Sequence, residues 1–165
     1  MDWIVWIQNF IREHGYAHEI LPHFYLGDIT VARNKPYLQA LGIKAIANVA
    51  VEAANWHPND FTYYNIPFED TGRPKIAPEL ASLFAFIDSH RDEGAGVLIH
   101  CMGGVSRSAT FAIAYVMWKQ QMRFDSAFAH VKALRQIVNP KPGFQEQLCT
   151  YDESLFGNVE PMLWR

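Results

Sequence analysis

The sequence predicts an α/β fold, a central, mainly parallel (mixed) sheet of about five strands flanked by helices on both faces. Three observations predict it. Short apolar runs of strand character alternate with segments of helical period. The run "VLIHC" (97–101) is apolar almost throughout, as a strand covered on both faces must be. Residues 107 to 120 are apolar nearly all round, which places that helix at the centre of the molecule. With 165 residues, half of them hydrophobic, the chain suits one domain, residues 1–165, with a substantial core.

The elements follow in order. Trp3, Ile4, Ile7, Phe10 and Ile11 recur at helical spacing, Val5 and Trp6 widen the apolar face, and Gly15 ends the pattern. Residues 2 to 14 therefore predict an amphipathic helix packed on or beside its own domain, with contact to a partner or a membrane surface as the second reading. "EILPHFYLGD" predicts one or two short strands closed by Gly27–Asp28. A short helix is expected from Pro36 to Leu41, stopped by Gly42. "IKAIANVA" and "FTYYNIPF" read as strands, and "FEDTGRPKIAP" as a polar loop rich in breakers. Pro78 opens a helix with Leu80, Leu83, Phe84 and Ile87 on one face. Asp125 reads as the N-cap of a helix with Phe128, Val131 and Leu134 inside. A last helix follows Pro142–Gly143, with Phe144, Leu148 and Leu155 inward.

Several function classes are disfavoured at once. The net charge is −3 and there is no long basic run, which gives nucleic acid or an anionic membrane no support as the main partner. No apolar run approaches the length of a bilayer span, so no integral membrane role is expected. The first residues lack the form of a signal peptide, and two cysteines, Cys101 and Cys149, make no disulfide framework. An intracellular location, cytoplasmic or nuclear, is the expectation. Neither a G-x-x-x-x-G-K-[ST] loop nor a G-x-G-x-x-G turn occurs. His100–Cys101 lacks a second Cys/His pair at usable spacing, so no metal and no cofactor are expected.

The chemistry concentrates between "VLIHC" and "RSATFAIAYVMW". Met102, Gly103, Gly104, Val105 and Ser106 must reverse the chain at a helix N-terminus. The glycines permit backbone angles that side chains forbid, and successive N–H groups in such a turn form a nest for an anion. The helix start adds unpaired donors, and Arg107 can clamp a tetrahedral oxyanion with two parallel hydrogen bonds. Cys101 would lie beneath that anion. Helix N-termini and nearby cations bring a thiol from about 8.5 to roughly 3.5–7.5, where it becomes a competent nucleophile. Ser108 is placed to donate to the sulfur as it leaves. His100, on the buried strand, is expected to orient the loop backbone and tune the thiol. The leaving oxygen needs a proton and the second step a base; a carboxyl on the "FEDTGRP" loop can serve both needs, with Asp70 and Glu69 the candidates. Asp28, Asp60 and Asp88 read as caps, turns or solvated faces.

The stretch "HCMGGVSRS" resembles the H-C-x5-R-[ST] pattern of cysteine-dependent protein phosphatases, and in detail their dual-specificity subgroup. "FYLGDITVARN", "LGIKAIANVA", "YYNIPFEDTG" and "VNPKPGFQEQL" resemble that family's segments in the same order, over roughly residues 18 to 156. The resemblance implies metal-free, two-step hydrolysis of phosphomonoesters, with Cys101 as nucleophile, Arg107 as phosphate clamp and Asp70, rather than Glu69, as general acid. Activity on small substrates is then expected to peak at mildly acidic pH, with the thiolate on the rising limb and protonated Asp70 on the falling one. Phosphoprotein substrates, on tyrosine and on serine or threonine, are the expected partners. The loop carries no Lys or Arg of the kind that meets phosphoinositides, no glucan-phosphatase loop is seen, and the chain leaves little room for the long loop that deepens tyrosine-only pockets. The alternatives are a phosphate-binding module without turnover, or a phosphatase for lipid, RNA 5′-phosphate or sugar. One departure from the family is Pro140–Lys141, where many members have Pro-Asn; Lys141 either alters a hydrogen bond that supports the loop or adds charge near it. Cys149 reads as a helical cysteine filling space, with a redox partnership to Cys101 as the alternative.

Overall fold

The structure, a computed structural model, describes Trp3, Ile4 and residues 15–157. Of the helix expected over residues 2 to 14, Trp3 and Ile4 are helical and exposed; the remainder lies outside the described residues. Five strands, β1 (His18–Leu21), β2 (Phe24–Gly27), β3 (Ile43–Asn48), β4 (Thr62–Asn65) and β5 (Gly96–His100), form one sheet in the order β1-β2-β5-β3-β4. β1 runs antiparallel to β2, and the other three pairings are parallel. The predicted mixed, mainly parallel sheet is therefore what the chain builds. Six helices are described, named here α1 (Ile29–Arg33), α2 (Lys35–Ala40), α3 (Ala77–Arg91), α4 (Arg107–Gln120), α5 (Phe124–Leu134) and α6 (Pro142–Phe156).

Strand alternation sorts the core onto two faces. Val97 and Ile99 of β5 join Phe24, Leu26 and Ala47 in the larger cluster beneath α3 to α6. Leu98 points the other way, with Ile46, Val31 and Leu38 under the short helices α1 and α2. The covering is thus unequal, with four helices on one face and two short ones on the other. α4 is the central helix expected from its composition. Every residue from Arg107 to Met117 is buried, and the helix stops where Gln121 turns left-handed at φ 52°. Truncating a fully buried member such as Phe111 to Ala costs about 3–5 kcal/mol.

Some local expectations are corrected. α1 was not predicted; five residues are too few to show a period, and Asp28 caps it by accepting from the Val31 N–H at 3.0 Å. α2 begins and ends one residue earlier than expected, and β4 covers only the middle of "FTYYNIPF". Asp125 is not an N-cap. α5 begins two residues earlier than that cap implies, with Arg123 in the N-cap position, and Asp152 on α6 satisfies its first amide, accepting from the Phe124 N–H at 2.7 Å while pairing with Arg123. Leu134 does not face the core but is exposed in the last turn of α5; Ala127 and Val131 fill that face. Cys149 fills no space, being exposed on α6.

β5 is paired on both edges, and its carboxyl end opens where the chain crosses from one face of the sheet to the other, the usual position for a ligand in an open α/β sheet. The segment 101–106 begins there.

Candidate active site

β5 delivers Cys101 and α4 receives the chain at Arg107, so the intervening loop turns over the end of the sheet. The fate of its carbonyls is the informative feature. The Cys101 carbonyl accepts from His100 Nδ1 at 3.0 Å, and that of Met102 from the Ile29 N–H at 2.9 Å. Arg135 donates to the next two, Nη2 to Gly103 O at 3.2 Å and Nε to Gly104 O at 2.9 Å. The Val105 carbonyl accepts from the Asn139 N–H at 2.8 Å, and that of Ser106 from both the N–H and the hydroxyl of Thr110 at 2.8 Å. Among the described residues, no backbone N–H from Met102 to Ser106 has an acceptor within the chain. The loop therefore turns its acceptors into the protein and leaves its donors for something else, the polarity of an anion nest. Gly104 is required here. Its φ is +63°, and a Cβ would lie 2.6 Å from both Gly27 O and Arg135 Nη2.

The side chains converge on the same place. Cys101 is buried, and its Sγ lies 3.1 Å from Ser108 Oγ. Arg107 is 4 % exposed. Its Nη1 donates to Glu52 Oε2 at 2.6 Å and Phe68 O at 2.8 Å, and its Nη2 pairs with Glu52 Oε1 at 2.5 Å. Its buried Nε has no partner among the described residues. Burial pushes the Arg107 guanidinium towards deprotonation, but the Glu52 hydrogen bonds and the charges of Cys101, Glu52 and Asp70 outweigh it and hold the group above its ordinary value. The same guanidinium keeps the Glu52 carboxyl below the usual carboxylate range. His100 is fully buried, and desolvation lowers its pKa. A neutral ring whose Nδ1–H meets a carbonyl leaves Nε2 as acceptor, and that atom has no partner among the described residues.

Asp70 is exposed and lines a cavity of about 330 Å³ with Val105, Ser106, Lys141 and Gln145. Glu69, its rival in the sequence, is exposed and absent from that lining. Beyond Asp70 the loop is tied to α6, where Gln147 Nε2 donates to Gly72 O at 3.1 Å and Pro74 O at 2.9 Å. The supporting bond in question at Lys141 is a main-chain one, its N–H donating to Ser106 Oγ at 3.0 Å, so the side chain is free to differ without losing it.

Comparison with known proteins decides the family. The family model for the dual specificity phosphatase catalytic domain matches residues 24–154. The chain belongs to the dual specificity phosphatase family. It is 36% identical over 154 residues to human protein phosphatase Slingshot homolog 3, covering 93% of this chain and 23% of that protein. It is 37% identical over 145 residues to human dual specificity protein phosphatase 1, covering 88% of this chain and 40% of that protein. The chain thus spans between about a quarter and two fifths of these relatives. Among solved structures, human tyrosine phosphatase-like serine/threonine/tyrosine-interacting protein superposes with a TM-score of 0.78 at 34% identity, covering 84% of this chain and 96% of that one. Human DUSP28 gives 0.80 at 26%, with 84% and 94% covered.

Of the residues expected in the site of this dual specificity phosphatase domain, Cys101, Arg107, Ser108 and the loop 102–106 are brought together, His100 lies behind the loop, and Asp70 lies beside it. Sequence reasoning missed Glu52, Arg135 and Asn139. Glu52 and Arg135 are lone charged residues with no motif around them; Arg135 stands in "LRQIVNP" between Leu134 and Gln136, both exposed, so no apolar run marks it as buried. Asp28 is a cap, as expected, and Asp60 pairs with Lys35. Asp88 is more than a solvated face; it holds Tyr115 and Lys119.

Proposed function

We propose that this domain hydrolyses phosphotyrosine and phosphoserine or phosphothreonine in proteins through a phosphocysteine intermediate. The observation that carries the reading is the loop's polarity, with every carbonyl from Cys101 to Ser106 tied back and the amides of 102–106 turned free beside a thiol and a buried arginine.

A phosphoryl group bound in the cup has its oxygens on the loop amides and on Arg107 Nε, the donors that lack partners. The Cys101 sulfur, as thiolate, attacks phosphorus; the S–P bond forms as the bond to the leaving oxygen breaks, and Asp70 gives that oxygen its proton. Asp70, now a carboxylate, takes a proton from water, whose oxygen displaces the sulfur. Ser108, 3.1 Å from the sulfur, donates to it as it departs. His100, holding the Cys101 carbonyl, keeps that end of the loop in place. Glu52 anchors the terminal nitrogens of Arg107, which aims Nε at the cup. The chemistry as proposed uses the thiol and the carboxyl, without a metal or cofactor.

Protein substrates are favoured by the relatives named as protein phosphatases and by a loop without basic residues. Residues 1–165 are read as one catalytic domain acting on phosphoproteins inside the cell, in the cytoplasm, the nucleus or both, a location supported by the two-cysteine composition.

The test is turnover of p-nitrophenyl phosphate, then of a substrate panel. We expect Cys101→Ser to lose at least about 10³-fold in kcat, and phosphotyrosyl and phosphothreonyl peptides to outrank a phosphoinositide, a 5′-phosphorylated RNA and a phosphoglucan. A folded, reduced wild type that binds phosphate without turnover is a binding module, and a non-protein substrate at the head of the panel replaces the protein reading.

A further inference from the structure

Resting on the reading of the loop as a phosphate site, we infer that Arg135 is a positioning residue that turns the Gly104 and Val105 amides into the cup. A peptide unit is planar and trans, so the carbonyl of one residue and the N–H of the next point in opposite directions. Fixing Gly103 O therefore aims the Gly104 N–H, and fixing Gly104 O aims the Val105 N–H. Arg135 holds both carbonyls, through Nη2 at 3.2 Å and Nε at 2.9 Å.

These two peptide units need a tether most. Gly103 and Gly104 have the least restricted backbone in the loop, and neither has a side chain to wedge it. The neighbouring carbonyls are held differently, by main-chain amides of Ile29 and Asn139, by the first turn of α4 through Thr110, and by His100. The amide directions at the centre of the loop alone depend on a distant side chain.

The surroundings of Arg135 fit that task. It is 0 % exposed, and a buried guanidinium is costly unless its donors are used. Its Nη1 donates to Tyr16 O at 3.2 Å and to His18 Nδ1 at 3.0 Å, and its Nη2 lies 3.8 Å from Asp28 Oδ2. Asp28 is fixed in turn by the N–H groups of Gly15 and Val31. The guanidinium is thus locked from behind by the chain entering β1 and by the cap of α1, and its front edge faces the loop. A lysine has one flexible charge centre and cannot hold two carbonyls in this fork geometry.

The experiment measures binding as well as turnover in the full chain. Inorganic phosphate is titrated calorimetrically into wild type, Arg135→Lys and, as a control for lost stability, Val131→Ala, which removes buried volume from the same helix. Wild type is also titrated with phosphate while its amide ¹⁵N–¹H shifts are followed. We expect Arg135→Lys to weaken phosphate at least about tenfold and to lower kcat/KM on p-nitrophenyl phosphate about 10²-fold. Val131→Ala is expected to lower Tm with phosphate affinity unchanged, and the Gly104 and Val105 amides to shift on binding. A folded Arg135→Lys that binds phosphate within twofold of wild type overturns the inference. So does a wild type that binds phosphate without movement of either amide, a result that stands even where the arginine variant does not fold. A wild type that neither binds phosphate nor hydrolyses p-nitrophenyl phosphate refutes the phosphate-site reading itself.

Discussion

Two buried arginines flank the loop 101–106, and they are finished differently. On the open side, Arg107 has both terminal nitrogens committed to Glu52 and Phe68 O, while its Nε has no partner. Its counter-charge, Glu52, has a side chain 46 % exposed. On the closed side, Arg135 has every nitrogen engaged by the protein, and its counter-charge, Asp28, is buried. The difference fits the two roles proposed above. A buried donor left without a partner costs free energy that a ligand can return, whereas a saturated guanidinium has nothing more to bind and contributes only geometry. The proposed roles, clamp for Arg107 and frame for Arg135, rest on this difference in partners.

The strongest test of this contrast is Arg107→Lys. We expect kcat/KM on an aryl phosphate to fall about 10³-fold, since the ammonium cannot reproduce the fork. Tm should move much less than in Arg135→Lys, where a fully buried guanidinium with every nitrogen engaged gives way to a group that cannot meet the same acceptors. Equal losses of Tm in the two variants would erase the distinction between clamp and frame. Next in size, Asp70→Asn tests whether the chemistry lies on the open side. A poor leaving group needs the proton more than a good one, so turnover of phenyl phosphate should fall about 10²-fold and that of p-nitrophenyl phosphate far less. Glu69→Gln should change neither rate; a larger loss there than in Asp70→Asn reassigns the acid.

The smallest expected loss of activity is that of Glu52→Gln, about tenfold in kcat/KM, through the lost charge-assisted anchor of Arg107. This variant also carries a pH signature. The Arg107 hydrogen bonds hold the Glu52 carboxyl below its ordinary value in the folded protein. A depressed carboxylate contributes stability that is present above its unfolded pKa and is lost as pH falls through its folded value. Glu52→Gln should therefore flatten the acid side of the Tm–pH curve. Exposure of the Glu52 side chain to solvent keeps the change modest. Asp88 acts in the same sense far from the site. Burial raises its carboxyl, but hydrogen bonds from Tyr115 and Lys119 and the nearby cations outweigh this and leave it lowered. In Asp88→Asn, the acid side of the curve should flatten with activity intact. An unaltered Tm–pH curve in Glu52→Gln would mean that the pair with Arg107 does not form in solution.

The legible parts of this molecule were local. The apolar run of β5, the glycines after it and the all-round apolar α4 are consecutive, so the strand, loop and helix with Cys101, Arg107 and Ser108 could be read together. α3 was marked by Pro78 and a regular apolar face. α1 escaped notice because one turn of helix has no period, and the start of α5 was misplaced because its first amide is satisfied by Asp152, 28 residues away on another helix. Leu134 was assigned inward on spacing alone, yet it falls in the last turn of α5, where the helix leaves the core.

By itself the sequence marked most of the strands and the longer helices, and set a thiol and a guanidinium at the two ends of a five-residue turn, because those properties follow from residues adjacent along the chain. Only the tertiary structure decided that Glu52 would reach across 55 positions to anchor Arg107, and that Arg135 would hold the turn from behind, 31 and 32 positions from its glycines. A lone charged residue carries no period and no motif. Its role is set by which group the sheet order brings within about 3 Å of it, the reach of a hydrogen bond.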